Sequence, residues 1–380
     1  MRKLLLFACS IVGATVFAVP KVSGLKVTPI APLGLALDYT VSGAEKGSYL
    51  SVSMTVDGTT YLAKTLSGET NCVDGAHRVY WNMAKDGITV EKADISVEVK
   101  YTAGDGALYC VIDLSEGSSA ESYPVTYFFA EATEPSEGFN TNEYKTAKLV
   151  LRRVDAGEFV MGEDQTSPDA CKVTLTKPFY VGLFEVTQKQ WELVMGSKPS
   201  SYFPADTNPV ECVSYDMIRG SSEGAKWPAT NSVDATSFLG KLREKTGIDF
   251  DLPTEAQWEY TCRAGETTTY SYGDNANGDY MWYTDNSSSK THEVGTRLPN
   301  KWGFYDMHGN VGEWCLDWYV DRSLPSGEDP KGSSSGSGRV CRGGHWDGSV
   351  SQCTSFFRNY FDPSTSDYPA IGFRLYRPLP

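Results

Sequence analysis

Tyr305-Asp306-Met307-His308-Gly309-Asn310-Val311-Gly312-Glu313-Trp314 is the stretch from which the fold of this chain is read. Its companions downstream are Arg342-Gly343-Gly344-His345-Trp346-Asp347-Gly348-Ser349-Val350-Ser351-Gln352-Cys353 and Ile371-Gly372-Phe373-Arg374. Each joins glycines, where the backbone turns sharply or another segment packs closely, to large apolar side chains that fill a core. Two further blocks lie upstream. Thr187-Gln188-Lys189-Gln190 and Thr254-Glu255-Ala256-Gln257 are capping boxes, in which the threonine hydroxyl and the glutamine three residues on satisfy each other's end of a helix. Trp191 and Trp258 follow at once and would bury the apolar faces of those helices. Asp234 to Lys245 reads as a third, amphipathic helix stopped by Gly247. Elsewhere this part of the chain is Gly, Ser, Asn and aromatic residues, which predicts irregular loops over a modest sheet, and Ser326 to Gly338 is an exposed low-complexity loop.

Outward from these blocks, 380 residues are long for one domain, and two folded units are expected. Short alternating runs fill Val22 to Tyr101: Leu35 to Val41, Tyr49 to Val56, Tyr61 to Leu66, His77 to Trp81 and Ile95 to Tyr101. Asp57-Gly58 joins two of them as a tight hairpin turn. The spacing argues for a small immunoglobulin-like β-sandwich over residues 19–103, with no acidic cluster or placed nucleophile, and hence for a spacer or docking role. Residues 104–145 read as a connecting segment, with a strand at Tyr109 to Leu114 and a Glu-, Pro-, Gly- and Asn-rich linker from Glu131 to Tyr144. The second domain is placed at residues 146–380.

The chain begins Met1-Arg2-Lys3, continues with an apolar run from Leu4 to Phe17, and reaches Ala18-Val19-Pro20. This pattern predicts a signal peptide over residues 1–18 and a secreted, periplasmic or cell-surface protein. Leu6-Phe7-Ala8-Cys9 imitates a lipoprotein cleavage box but would leave only five hydrophobic residues before it. No later segment is long and apolar enough to span a bilayer. Without Arg2 and Lys3, 32 basic residues face 48 acidic ones, a formal charge of −16, which disfavours nucleic acid and anionic lipid as partners and keeps an exported chain soluble. Cys72, Cys110, Cys171, Cys212, Cys262, Cys315, Cys341 and Cys353 remain, an even set that favours disulfides in an exported chain without fixing their connectivity.

From about Leu149 to the C-terminus, the blocks above, with Phe179-Tyr180-Val181-Gly182-Leu183-Phe184-Glu185-Val186-Thr187 and Asn208-Pro209-Val210, resemble the formylglycine-generating enzyme (sulfatase-modifying factor) family in order and content. The resemblance implies an α+β, C-type-lectin-like domain in which the first and last strands pair, here Leu149-Val150-Leu151 and Phe373-Arg374-Leu375. The family's oxidases bind copper through two thiolates and convert a substrate cysteine to an aldehyde. Cys353 fills the second thiol position, but Gly348 stands at the first, so the copper ligand pair is incomplete. Gly312 replaces a tryptophan of those oxidases, His345 a serine, Gln352 a tyrosine and Ala370 an asparagine. The resemblance further implies that Cys353 pairs with Cys262, with Cys341 as the rival for either. It also implies calcium held by Asp306, the carbonyls of Gly309 and Val311, and Glu313, and hard oxygens clustered in this way suit Ca²⁺.

The expected function is a binding or structural module of this family for a protein or glycan ligand, without oxidase activity. The alternative is an enzyme, either an oxidase of protein cysteine or a diverged metal-dependent oxidase working at Cys353, His345 and Asp347. Calcium-dependent sugar binding is a third reading, for which the Glu-Pro-Asn or Gln-Pro-Asp motif is missing. Gly332-Ser333-Ser334-Ser335-Gly336 imitates a hydrolase elbow but lies in a Ser/Gly loop without the strand and helix that motif requires.

Overall fold

The computed structural model describes residues 21–379 except 31–33, 43–47, 57–58, 64–65, 69–73, 84–94, 104–106, 129–134, 136, 164–169 and 200. Expectations for the leader, the Asp57-Gly58 turn and Cys72 fall outside the described residues. The chain divides into two units, one comprising the described residues of Met1–Leu108 and Pro124–Pro135, the other those of Tyr109–Tyr123 and Ser136–Pro380.

The first unit is built of strands. β1 (Lys21–Ile30), β2 (Gly34–Ser42), β5 (Leu66–Gly68) and β6 (Gly75–Trp81) form one sheet in the order β1-β2-β6-β5; β3 (Ser48–Val56), β4 (Thr59–Leu62) and β7 (Ile95–Ala103) form a second, ordered β4-β3-β7. Alternation is the cause: in β6 every second side chain, His77, Val79 and Trp81, is buried. Leu37, Tyr39 and Val79 of the first sheet share one core with Val52, Met54 and Val99 of the second. Val56 of β3 stands opposite Thr59 of β4.

Part of the expected connecting segment is structured in the second unit. β8 (Tyr109–Asp113) pairs antiparallel with β10 (Lys148–Val154), and α1 (Asn142–Thr146) leads into it, whereas β9 (Val125–Phe128) belongs to the first unit. Within the second unit β8, β10, β13 (Phe179–Gly182) and β19 (Tyr376–Pro378) are neighbours in that order. The first and last strands therefore do not pair directly. β13 stands between them, because all four of its residues are buried and a strand apolar on both faces belongs inside a sheet. Two small sheets complete the unit: β11 (Gly157–Met161), β12 (Cys171–Leu175) and β15 (Gly327–Glu328), and β17 (Asn359–Phe361), β16 (Arg339–Arg342), β14 (Gly312–Trp318) and β18 (Ile371–Gly372).

α2 (Gln188–Met195) and α5 (Glu255–Arg263) start at Thr187 and Thr254 with both capping boxes formed. Trp191 stacks on Phe238 with ring centroids 5.2 Å apart, burying the apolar face of α2. The third helix, α4 (Phe238–Thr246), ends at Gly247 as expected but begins four residues later than Asp234. The reason is that Ser237 caps it, while Asp234 turns back to accept from the backbone N–H groups of Ser222 and Glu223. α3 (Tyr215–Arg219), five residues long, had no periodic signal of its own.

Candidate functional site

The turn that opened the sequence reading is built on left-handed backbone at Asp306 (φ 55°), Gly309 (φ 89°) and Asn310 (φ 62°). At Gly309 only glycine fits, since a Cβ there would strike the Trp282 carbonyl. Backbone bonds fix the turn: Gly309 N donates to Gly343 O (2.7 Å), Asn310 N to Trp282 O (2.9 Å) and Trp346 N to Asn310 O (2.9 Å). Gly-Asn and Arg-Gly-Gly are thus one hydrogen-bonded assembly, although more than thirty residues separate them.

Beneath the turn lies a wholly buried charge cluster of Glu185, Asp306, Glu313 and Arg374. Arg374 forks onto Glu313 (Nε to Oε2 2.7 Å, Nη2 to Oε1 2.6 Å), and the Trp258 indole N–H donates to the same Oε2 at 2.7 Å. The rest of the guanidinium donates to Gly182 O and Tyr305 O, so the final Gly-Phe-Arg locks β13 to the turn. Glu185 accepts from Asn310 Nδ2 (2.7 Å) and Val311 N (3.0 Å). Asp306 accepts from Gly295 N at 2.6 Å through Oδ2, while its Oδ1 is buried without a partner. Three carboxylates therefore share one buried guanidinium. Burial, then the neighbouring Asp306 and Glu313, pushes Glu185 well above the usual carboxylate range, and burial raises Asp306 to about 6.

Calcium fits this donor set. Asp306 Oδ1 lacks a partner, Glu313 Oε1 accepts a single hydrogen bond and retains a lone pair, and a divalent cation would balance the excess negative charge. Among the described residues no three His, Cys, Asp or Glu side chains converge on a metal position; the expected set has only two carboxylates, with the carbonyls of Gly309 and Val311 as its other expected ligands.

The surface from His345 to Cys353 is different in kind. Cys353 is fully buried in an apolar cluster with Tyr270 and Met281, and burial pushes its thiol up to about 12. All seven described cysteines are free thiols, so the expected Cys262–Cys353 disulfide is not formed, nor is one to Cys341. His308 stands between the first two: its Nε2 is 3.7 Å from Cys262 Sγ and its Nδ1 is 2.7 Å from the Cys353 carbonyl oxygen. Burial drives His308 down to about 4. Its neutral ring is satisfied by Ser271 and the Cys353 carbonyl, and serves packing.

His345, Asp347 and Cys353 are neighbours but do not form a relay. The His345 ring accepts from Asp347 N at 3.3 Å and lies 3.3 Å from the Tyr368 hydroxyl; neither contact leads to the Cys353 thiol. Burial lowers the His345 pKa, and the Asp347 side chain is exposed. Gly348 is buried, and Gln352 Oε1, which a Cβ at Gly348 would approach to 3.4 Å, is spent on capping Ser349 N. A two-thiolate copper site does not fit these residues, because Gly348 supplies no sulfur and the nearby Cys353 is enclosed by apolar groups.

Sequence reasoning located the turn but missed Glu185 and Arg374 as its buried partners. The available signal was the acid inside Leu183-Phe184-Glu185-Val186, since a lone carboxylate in an apolar run must be paired or neutral when buried.

A sequence profile described as the sulfatase-modifying factor enzyme 1-like domain matches residues 119–379, which takes in the turn, the charge cluster and the surface at Gly348. A protein of Paenibacillus barcinonensis named chaperone protein LppX is 32% identical over 265 residues, covering 60% of this chain and 89% of that one. The formylglycine-generating enzyme of Mus musculus is 34% identical over 319 residues, covering 71% and 85%. Among solved structures, Treponema denticola variable protein 1 superposes with a TM-score of 0.52 at 30% identity, covering 62% of this chain and 96% of that one. With the profile spanning more than half of its residues and the same blocks built into one hydrogen-bonded assembly, the chain belongs to the sulfatase-modifying factor (formylglycine-generating enzyme) family.

Proposed function

We propose that this chain is an exported, non-catalytic binding module: a C-type-lectin-like domain stabilised by calcium at Asp306, Gly309, Val311 and Glu313, preceded by an immunoglobulin-like sandwich that spaces or docks it. The observation that carries this reading is Gly348, which removes one thiol of the pair while Gln352 caps the turn beside it. Cys353, buried and held protonated, has neither the exposure nor the thiolate character of a redox cysteine. The relative named a chaperone supports a role in binding rather than oxidation. No helix among the described residues is long and apolar enough to cross a membrane. Where bound, calcium would supply structural charge balance beneath the turn and no chemistry on a substrate.

The deciding experiment incubates the copper-loaded protein with a Cys-x-Pro-x-Arg peptide and oxygen and follows the peptide mass. The expected outcome is an unchanged thiol. Loss of the thiol mass in favour of the aldehyde would establish the rival oxidase reading at the His345/Asp347/Cys353 surface.

A further inference from the structure

Away from the turn and from Cys353, the low-complexity loop after β14 covers a half-open cleft of about 410 Å³. Trp318, Val320, Leu324 and Pro325 give it apolar walls, and Asp317, Lys331, Ser333 and Arg358 supply polar groups.

Asp317 is the informative residue. It is 1% exposed, and its Oδ2 accepts from Glu255 N at 2.8 Å, serving the first turn of α5. Its Oδ1 is buried and has no hydrogen-bond partner. That oxygen faces Gly332, another lining residue, where a Cβ would come within 2.6 Å of it. A carboxylate oxygen taken out of water without a donor is costly, and an enclosed one beside a cleft marks where a donor is to be supplied. Burial, then the charge of Glu255, raises Asp317 to about 7, the same shortage of donors read electrostatically.

The surrounding charges narrow the class of donor. Glu255 is neutralised by Arg358 (2.6 and 2.8 Å), and Arg358 Nη1 continues to Val320 O. The Arg339 guanidinium lies 3.5 Å from the Trp318 ring, and Lys331 is exposed with its ammonium 5.7 Å from the Trp227 ring. A cationic ligand would meet Lys331 and Arg358; an anionic one would meet Asp317 and Glu255. A neutral ligand that donates to Asp317, accepts from Lys331 and lays apolar surface on Trp318 and Leu324 avoids both conflicts. Hydroxylated rings have this character, and the volume accommodates one or two of them.

We infer that the cleft between Asp317, Trp318 and the 323–333 loop is a binding site for a neutral saccharide. The inference rests on the binding-module reading and gives that module a ligand class and a location. It requires no metal.

The test is saturation-transfer NMR on the full-length protein with glucose, galactose, mannose, N-acetylglucosamine and maltose, with putrescine as a cationic control. At least one sugar is expected to bind in the millimolar range. At pH 8 or above, where Asp317 is mostly ionised, Asp317→Asn, which retains an acceptor for Glu255 N but turns a donor toward the cleft, should weaken it roughly tenfold or more, the loss expected for a hydrogen bond to a charged group. Lys331→Ala, at an exposed position that folding does not depend on, should weaken it less. Absence of binding by all five sugars, binding unaffected by both substitutions, or binding of putrescine in their place would each overturn the assignment. If Asp317→Asn does not fold, by circular dichroism, the Lys331→Ala titration decides alone. These outcomes are independent of the peptide-oxidation assay, so failure of the saccharide site and failure of the non-catalytic reading are told apart.

Discussion

The turn at Asp306–Glu313 and the surface at His345–Cys353 are joined by the Trp346 N to Asn310 O hydrogen bond, yet they have been filled in opposite ways. Beneath the turn, three carboxylates and one guanidinium are sealed from water, and almost every polar atom has a partner. At the surface, a glycine, a protonated thiol and a histidine bonded to Asp347 N and Tyr368 occupy the positions where chemistry would sit. The difference teaches that the residues tying the architecture together are not those at positions 345 to 353. Charge buried under the turn joins β13, β14 and the C-terminus through Arg374 and Glu313.

The largest effect that tests this contrast is expected from Arg374→Met. Removing the guanidinium that forks onto Glu313 strands that carboxylate beside its acidic neighbours, which should cost about 3–5 kcal/mol. Urea unfolding measures it; a loss below about 1 kcal/mol would mean that the cluster does not organise the fold. Next comes calcium. Chelation should lower the melting temperature and added calcium restore it, by about 2.7 kcal/mol at a hundredfold excess over Kd. Asp306→Ala should abolish the response, and a melting temperature indifferent to both treatments would remove calcium from the turn.

A smaller effect concerns His345. Burial lowers its folded-state pKa below the ordinary imidazole value of about 6.5, so the folded protein binds fewer protons there than the unfolded chain. The corresponding stability is present at neutral pH and lost as pH falls below that value. His345→Gln should flatten this part of the stability profile, and superimposable profiles would place the imidazole in a more open setting. The smallest effect is expected from Gly348→Cys. Its Cβ would stand 3.1 Å from the backbone oxygen of His345, tighter than an ordinary contact at a buried position, so the change should cost about 1 kcal/mol. It should still yield no aldehyde from the peptide substrate, because Gly312, His345, Gln352 and Ala370 are unchanged. Aldehyde formation by this variant would show that the surface lacks only a sulfur.

Much of the second unit was legible in the chain. Thr187 and Thr254 announce their helices because a capping box is a local device of four residues, and Gly247 ends α4 because a left-handed cap favours glycine. Alternation likewise located the strands of the first unit, since period two is a property of the backbone. Less legible were features set by partners distant in sequence. Whether Cys262 meets Cys353 depends on His308, which arrives from another segment. The position of β13 between β10 and β19 depends on burial on both faces. Asp317 gave no signal, because its meaning comes from the Gly332 loop and the start of α5.

What the sequence determined by itself was the family, the starts of α2 and α5, the stop of α4, and the absence of a thiol at position 348, because each is written in neighbouring residues. What only tertiary structure decided was which charges are buried together, which cysteines remain thiols, and which carboxylate oxygens lack a donor. These are properties of neighbours brought together by folding, and in a low-dielectric interior the neighbours set the state of an ionisable group.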